Sequence, residues 1–457
     1  MLEKNNTTKQ VVYYQAGIGT YVAPGFLTPV GKWVAKTADL ALAWYLDDHV
    51  KDGYRFLQST WKPGDRICMF GFSRGAYTAR ALAGMLYKVG LLPPGMVEQV
   101  DFAYSIYMEG RRSNTYKDAF SRMVNIEFIG VWDTVSSVGA LYPRVLPFSA
   151  NNNITKTFRH ALALDERRAK FRSNTWHVSR SANKNPHKKI AARCSFYSTT
   201  FIRWCLHGVR TKALWMVVRP RMTAAGQDPP GPTDVMEVWF PGCHADVGGG
   251  NVSDFMKVDG QIQPRSMLSN IPLRWMIKEI ILADAGIIFH PSAMSRFGID
   301  HATLVNEAKE KHKGATIPPA SPPVQTKSNV EDFKAPIHDE LSMPRLGLIV
   351  MWLLWWLLEF LPVPDFNQDQ NNRWGFTLRI NRGRPRDIPK YSKAKNVNSR
   401  YIDGKTGNIP TLFHKSVEHR MKASESETST WGSLWVNNNQ PYKPRVLPTT
   451  GEFTFVE

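Results

Sequence analysis

The chain has 457 residues, 43% hydrophobic and 12% aromatic, which excludes a disordered or fibrous protein and allows one large α/β domain with additions, or two to three domains. Its 58 Lys and Arg against 39 Asp and Glu give a formal charge of +19, pointing to anionic surfaces. The four cysteines, Cys68, Cys194, Cys205 and Cys243, have neither metal-ligand spacing nor the density of a disulfide framework, and the polar start MLEKNNTTKQ has no signal-peptide core.

The elements follow in chain order. Residues 11–14, VVYY, are expected as a strand, followed by the loop AGIGTY. Residues 37–60 carry helical periodicity. In RICMFGFSRGAYTARALAGML, the apolar run Ile67-Cys68-Met69-Phe70 predicts a buried strand, and Ala76, Ala79, Leu82, Ala83 and Leu86 recur at helical spacing. NIEFIGVWDTVSSVG (125–139) reads as a strand, Ile126 to Val131, ending in a polar loop. FRHALALDERRAKF (158–171) is a helix candidate, which would make His160 a structural helix residue. VMEVWFPGCHADVGGG (235–250) reads as a strand and a glycine-rich loop, and IPLRWMIKEIILADAG (271–286) as a helix with a Gly stop. Strands alternating with helices imply a mostly parallel sheet covered by helices.

Three further segments are irregular. Residues 192–226 mix Arg with bulky apolar residues without a period and are expected as part of a lid or cap insertion at about 174–234, or as translated non-coding sequence. The Pro-rich stretch within 301–340 reads as a linker or mobile loop. The remainder, 341–457, reads as a C-terminal extension with one apolar helix at 346–361. The apolar stretch 346–363 is about the minimum length for a membrane span and is interrupted by Glu359. A packed helix is the favoured reading, ahead of an in-plane helix and a span. The basic clusters at 183–189 and 379–386 read as solvated loops, so no nucleic acid is expected.

The chemistry centres on Gly71-Phe72-Ser73-Arg74-Gly75, a G-x-S-x-G pattern between a strand and a helix, where a nucleophile elbow requires it. The tight turn explains the glycines, and the helix N-terminus favours an oxyanion, with the backbone N–H of Arg74 as first donor. The alternative is that Ser73 only caps the helix. A serine nucleophile needs a base and an acid, in the order Ser, Asp or Glu, His. Asp133 directly follows a strand and is expected as the acid, the alternative being a cap on the following turn. His244 follows the strand MEVWF, downstream of both, and is expected as the base; Asp246 has no assignment. No metal or organic cofactor is needed for such chemistry.

With these residues in view, the chain resembles the α/β-hydrolase domain of type VI secretion phospholipase effectors, a family with many fungal members. The matching stretches include YYQAGIGT, YRFLQSTWKPGDRICMFGFSRGAYTARALAGML, IEFIGVWDTVSSVG, HALALDERRAKF, VWFPGCHADVGGG and IPLRWMIKE, over about residues 11–290. The resemblance implies an α/β-hydrolase catalytic domain over 1–300, Ser73 as nucleophile, Asp133 as acid, His244 as base and phospholipid esters as substrate. Family members open with a further strand ending in Asp-Gly-Thr, whose loop gives the second oxyanion donor. This sequence starts after it; Gly17-Ile18-Gly19 is a candidate substitute, and the alternative function is that of a catalytically impaired or inactive hydrolase-fold protein, from a truncated gene model, with a binding or membrane-associated role. The expected location is cytoplasmic or peripheral on an anionic membrane, the expected partner a lipid or other ester.

Overall fold

Short apolar runs such as Ile67-Cys68-Met69-Phe70 become strands only where neighbours satisfy their backbone groups. In a computed structural model those neighbours are parallel strands. The structure describes residues 1–16, 39–109, 113–135, 154–176, 231–250, 255–258, 261–264, 267–295, 297, 299–312, 332–342, 349–368, 374–389, 391–392, 397–403, 408–422, 442–445 and 453–457. In chain order the strands are β1 (Ile67–Phe72), β2 (Ile126–Trp132), β3 (Thr155–Ala163), β4 (Asp234–Phe240), β5 (Phe255–Val258), β6 (Gln261–Pro264), β7 (Pro362–Gln368), β8 (Trp374–Ile380), β9 (Thr411–His414) and β10 (Phe453–Val456). Six of them form one sheet in the order β1-β2-β3-β4-β9-β10, with every pairing parallel. The pairs β5-β6 and β7-β8 are separate antiparallel hairpins.

The helices are α1 (Asp39–Thr60), α2 (Arg74–Val89), α3 (Val100–Glu109), α4 (Ser113–Phe120), α5 (His244–Gly248), α6 (Asn270–Leu282), α7 (Pro291–Ser295), α8 (His301–His312), α9 (Ile349–Phe360) and α10 (Lys415–Lys422). On one face of the sheet, Leu46, Tyr54, Tyr77, Leu86 and Tyr107 pack from α1–α3 against Ile129 and Val131. On the other face, Trp275, Met276 and Ile280 of α6 pack against Phe128, Val238 and Phe240. Covering both faces buries the inner strands β2, β3 and β4 almost continuously, while β1 and β10 stay partly exposed. The α6 side comes so close that a Cβ on Gly130 would lie 2.8 Å from Met276 Sδ and from the Phe70 ring. The mostly parallel, helix-covered α/β architecture is therefore as the sequence indicates.

Several local expectations change. FRHALALDERRAKF does not form a helix: its first half is β3, buried on both faces, so its apolar residues show no two-residue alternation. Its inward polar residues Arg159 and His160 obscured the strand, and both are buried and paired. Arg159 Nε donates to Glu279 Oε2 on α6 at 2.7 Å and Arg159 Nη2 to Asp234 Oδ2 at 2.5 Å. His160 accepts the Thr134 N–H at Nε2, 3.1 Å, so the neutral ring carries its proton on Nδ1, 3.0 Å from Glu237 Oε1. Residues 11–14 form no strand; β propensity without a sheet edge leaves Tyr14 84% exposed, while Tyr13 stacks on Phe56. The glycine-rich loop after β4 contains the short helix α5.

The C-terminal segment expected as an irregular extension supplies β9 and β10 to the same sheet. Strands of four residues are too short to show a period. Within the stretch expected as a linker, 301–312 is α8, and Asp332 accepts from Met267 N, Asn270 Nδ2 and Arg274 Nη1. Residues 192–226 lie outside the described residues. The apolar segment at 346–363 contains the 12-residue α9, and among the described residues no helix is long and apolar enough to cross a membrane. Glu359 anchors this helix: it is 1% exposed and accepts from Ala169 N at 2.6 Å, Asn381 Nδ2 at 2.6 Å and Gly383 N at 2.9 Å.

The Arg159–Glu279 contact yields a stability prediction. Glu279 is shared by Arg159 and Arg400, so Glu279→Ala leaves a buried guanidinium short of a carboxylate. Breaking a buried pair in this way is expected to cost about 3–5 kcal/mol. A lower urea unfolding midpoint checks it, and an unchanged midpoint contradicts it.

Candidate active site

The turn after β1 is strained. Ser73 has φ 58° and ψ −122°, which a non-glycine residue adopts only when the surroundings force it. Its N–H donates to Trp132 O at 3.0 Å and its carbonyl accepts from Tyr77 N, so strand and helix both grip it. The two flanking glycines differ in necessity. A Cβ on Gly71 would sit 2.4 Å from Gly75 O, whereas one on Gly75 would meet nothing within 4 Å. Ser73 stands at the N-cap of α2 but makes no side-chain cap. Its Oγ instead lies 2.7 Å from His244 Nε2.

Asp133 is the first residue past β2, with φ 39° and its N–H bound to Ala161 O at 2.7 Å. Its carboxylate is fully buried. Oδ1 accepts from Ala163 N at 3.0 Å and Arg386 Nη1 at 2.6 Å; Oδ2 accepts from Arg386 Nη2 at 2.9 Å and meets His244 Nδ1 at 2.5 Å. Burial alone would raise its pKa, but the Arg386 guanidinium and the His244 hydrogen bond outweigh it and hold the carboxyl well below the usual range.

His244 opens α5. Its ring lies between Phe72, centroids 4.6 Å apart, and the edge of Phe171, 4.7 Å away. Gly248 allows this closeness, since a Cβ there would fall 2.0 Å from the Phe72 ring. Burial lowers the imidazole pKa, and the hydrogen bond to Asp133 only partly offsets that. The backbone N–H of His244 donates to Glu166 Oε2 at 3.2 Å, and Arg168 forks onto both oxygens of Glu166 at 3.0 and 2.9 Å. Asp246 receives an assignment here: it accepts from Cys243 N at 2.8 Å, capping α5, and pairs with His338 Nδ1 at 2.6 Å.

Ser73, His244 and Asp133, expected from the sequence, therefore meet in one hydrogen-bonded chain. Arg74 is the first residue of α2, beside Ser73. Gly17, Ile18 and Gly19 lie outside the described residues. Among the described residues, no cluster of three or more His, Cys, Asp or Glu side chains is arranged to hold a metal ion. The sequence reading missed Arg386, which belongs to the basic cluster at 379–386 expected as solvated but is buried. It also missed Glu166, Arg168 and Phe171. The one available signal was the unusual ERR run beside an apolar strand.

A family model described as T6SS, phospholipase effector Tle1-like, catalytic domain matches residues 1–279. An uncharacterized protein of Saccharomyces cerevisiae, YEL023C, is 26% identical over 512 residues, covering 86% of this chain and 73% of the yeast protein. Among solved structures, an uncharacterized protein from Pseudomonas aeruginosa is 19% identical with a TM-score of 0.26, covering 65% of this chain and 34% of that one. The Tle1 effector bound to the VgrG spike of the type 6 secretion system is 13% identical with a TM-score of 0.28, covering 66% of this chain and 64% of that one. The chain thus spans about a third of the first structure and under two thirds of the second. With more than half of its length matched by the family model, the chain belongs to the Tle1-like phospholipase effector catalytic-domain family.

Proposed function

We propose that the chain is a serine hydrolase acting on carboxylic esters, with lipid esters as the substrate class. The observation that carries this reading is the continuous chain Ser73 Oγ, His244 Nε2, His244 Nδ1, Asp133 Oδ2, with links of 2.7 and 2.5 Å. Ser73 Oγ attacks the ester carbonyl while His244 Nε2 takes its proton. Asp133 fixes the proton on Nδ1 and stabilises the imidazolium that forms. The backbone N–H of Arg74, at the start of α2, is the oxyanion donor. His244 then protonates the leaving alcohol, and water drawn by the same base hydrolyses the acyl-enzyme.

The lipid part of the proposal rests on the family and on α9. Trp355 of this helix lies against Phe171, 5.7 Å between centroids, and Phe171 in turn walls His244. On α9 Leu353, Leu357 and Phe360 are 54%, 59% and 57% exposed at helical spacing. One side of α9 thus reaches the wall of the imidazole through Trp355, while its exposed apolar strip suits a bilayer contact and the +19 charge suits an anionic surface.

Three outcomes test this function. A fluorophosphonate probe is expected to label the wild-type chain and not Ser73→Ala, with ester hydrolysis falling by about four orders of magnitude or more. Folded wild type that does not label refutes a serine nucleophile.

The second outcome is pH dependence. His244 acts as a base only when neutral, and burial lowers its pKa, so kcat/KM should fall with pH only below the ordinary histidine value of about 6.5. Stability runs in the same direction. A histidine with a depressed folded pKa binds its proton better unfolded, so stability is lost as pH drops below the unfolded value. Asp133, also depressed, loses its contribution as pH falls from the unfolded carboxylate value toward its lower folded one. An acid limb centred above about pH 7 contradicts the assignment.

Finally, Leu353→Glu with Leu357→Glu is expected to reduce hydrolysis of vesicle phospholipid by about tenfold or more while leaving a short soluble ester within about twofold. Equal losses on both substrates would remove α9 from substrate access.

A further inference from the structure

We propose that Arg386, carried by the C-terminal segment, is a positioning residue for the Ser73–His244–Asp133 chain: it fixes the Asp133 carboxylate in the plane His244 needs and offsets its charge. The proposal rests on the hydrolase reading above. It also goes beyond the part of the chain that the family model covers, which ends at residue 279.

The geometry is specific. A guanidinium has five N–H donors in one plane. Arg386 uses Nη1 toward Asp133 Oδ1 at 2.6 Å and Ala163 O at 2.9 Å, and Nη2 toward Asp133 Oδ2 at 2.9 Å and Phe171 O. The fifth donor, Nε, goes to Phe171 O at 2.9 Å. One side chain therefore grips the end of β2, the end of β3 and the residue whose ring walls His244. Oδ1 is held by Arg386 and Ala163 N, and this leaves Oδ2 turned toward His244 Nδ1. A lysine ammonium, a compact charge without the planar fork, cannot reproduce the parallel Nη1–Oδ1 and Nη2–Oδ2 pair.

The support reaches back along the chain. Arg386 leaves a turn in which Asn381 Nδ2 bonds Arg167 O at 2.7 Å and Glu359 Oε2 at 2.6 Å, and Gly383 N also bonds Glu359 Oε2. Glu359 belongs to α9, so the turn is pinned to that helix on one side and to the segment after β3 on the other.

The charge balance sets the expected direction. Facing His244 are Asp133 just past the end of β2, Glu166 and Arg168 from the segment after β3, and Ser73 from the elbow. Asp246, on its own helix, is directed to Cys243 N and His338. Behind Asp133 stand Arg386 and the His160–Glu237 pair. Removing the Arg386 charge leaves the Asp133 carboxylate with imidazolium as its main counter-ion and makes His244 more basic.

The experiment compares wild type, Arg386→Gln and Arg386→Lys by steady-state kinetics on a soluble ester and by NMR titration of the His244 ring, which needs no turnover. For Arg386→Gln, kcat should fall by about tenfold or more at nearly constant KM, and both the acid limb of kcat/KM and the His244 titration should move up by about one pH unit. Arg386→Lys keeps a cation, so its titration should move less while kcat still falls; it serves alone if the Gln variant does not fold. Wild-type kcat in the Lys variant, or an unmoved His244 titration in a folded Gln variant, overturns the proposal. A wild type without esterase activity whose His244 titration still responds to Arg386→Gln removes the hydrolase reading and keeps the coupling.

Discussion

A carboxylate removed from water must be met by donors, and Asp133 is the point at which this requirement organises the molecule. It is fully buried, and its two oxygens take the Ala163 N–H, two N–H groups of Arg386 and the Nδ1 side of His244. An unpaired charge there would cost several kcal/mol, more than most single contacts contribute. The donors come from the end of β3, from the start of α5 and from a turn more than 250 residues downstream. These segments converge because one charge needs all of them, and the site geometry follows from that convergence.

The turn that delivers His244 obeys the same rule with the signs reversed. Three successive backbone N–H groups, of Gly242, Cys243 and His244, point into the interior, and each finds a buried carboxylate. Gly242 N donates to Asp165 Oδ2 at 2.7 Å, Cys243 N to Asp246 Oδ2 at 2.8 Å and His244 N to Glu166 Oε2 at 3.2 Å. Positive partial charge at the start of α5 favours these anions. The carboxylates are in turn held by Tyr442, His338 and Arg168. The imidazole is therefore positioned by its backbone as well as by its ring contacts with Phe72 and Phe171.

The strands β1, β2 and β4 and the helices α1, α2 and α6 were legible because G-x-S-x-G, VWDT and the GCHADVGGG run sit at changes of hydrophobic period. The same contexts indicated Ser73, Asp133 and His244. What was not legible has three physical causes. The strand β3 is buried on both faces and carries Arg159 and His160 inward, so neither alternation nor polarity identified it. The strands β9 and β10 are four residues each, shorter than any period can reveal. Arg386 lay in a basic cluster whose composition is that of a solvated loop, and only three-dimensional pairing with a distant aspartate distinguishes it from its neighbours. Long-range charge pairing leaves no local trace in a single sequence.

Ser73 and Asp133 share one further feature. Each is the first residue beyond its strand, each has positive φ, and each continues the ladder by donating to the next strand: Ser73 N to Trp132 O and Asp133 N to Ala161 O. The strained conformations are thus held by ordinary sheet-type hydrogen bonds at the strand ends. Because β1 and β2 are adjacent and parallel, the two side chains leave the sheet about one strand spacing, ~4.8 Å, apart at its carboxyl end. One imidazole can span that gap. The distance across the site is consequently a property of the sheet, set by residues 67–133. The plane of the carboxylate depends on Ala163 N at the end of β3 and, from the C-terminal segment, on Arg386. Separating reach from orientation in this way places part of the control of the site outside the portion of sequence that carries its recognisable motifs.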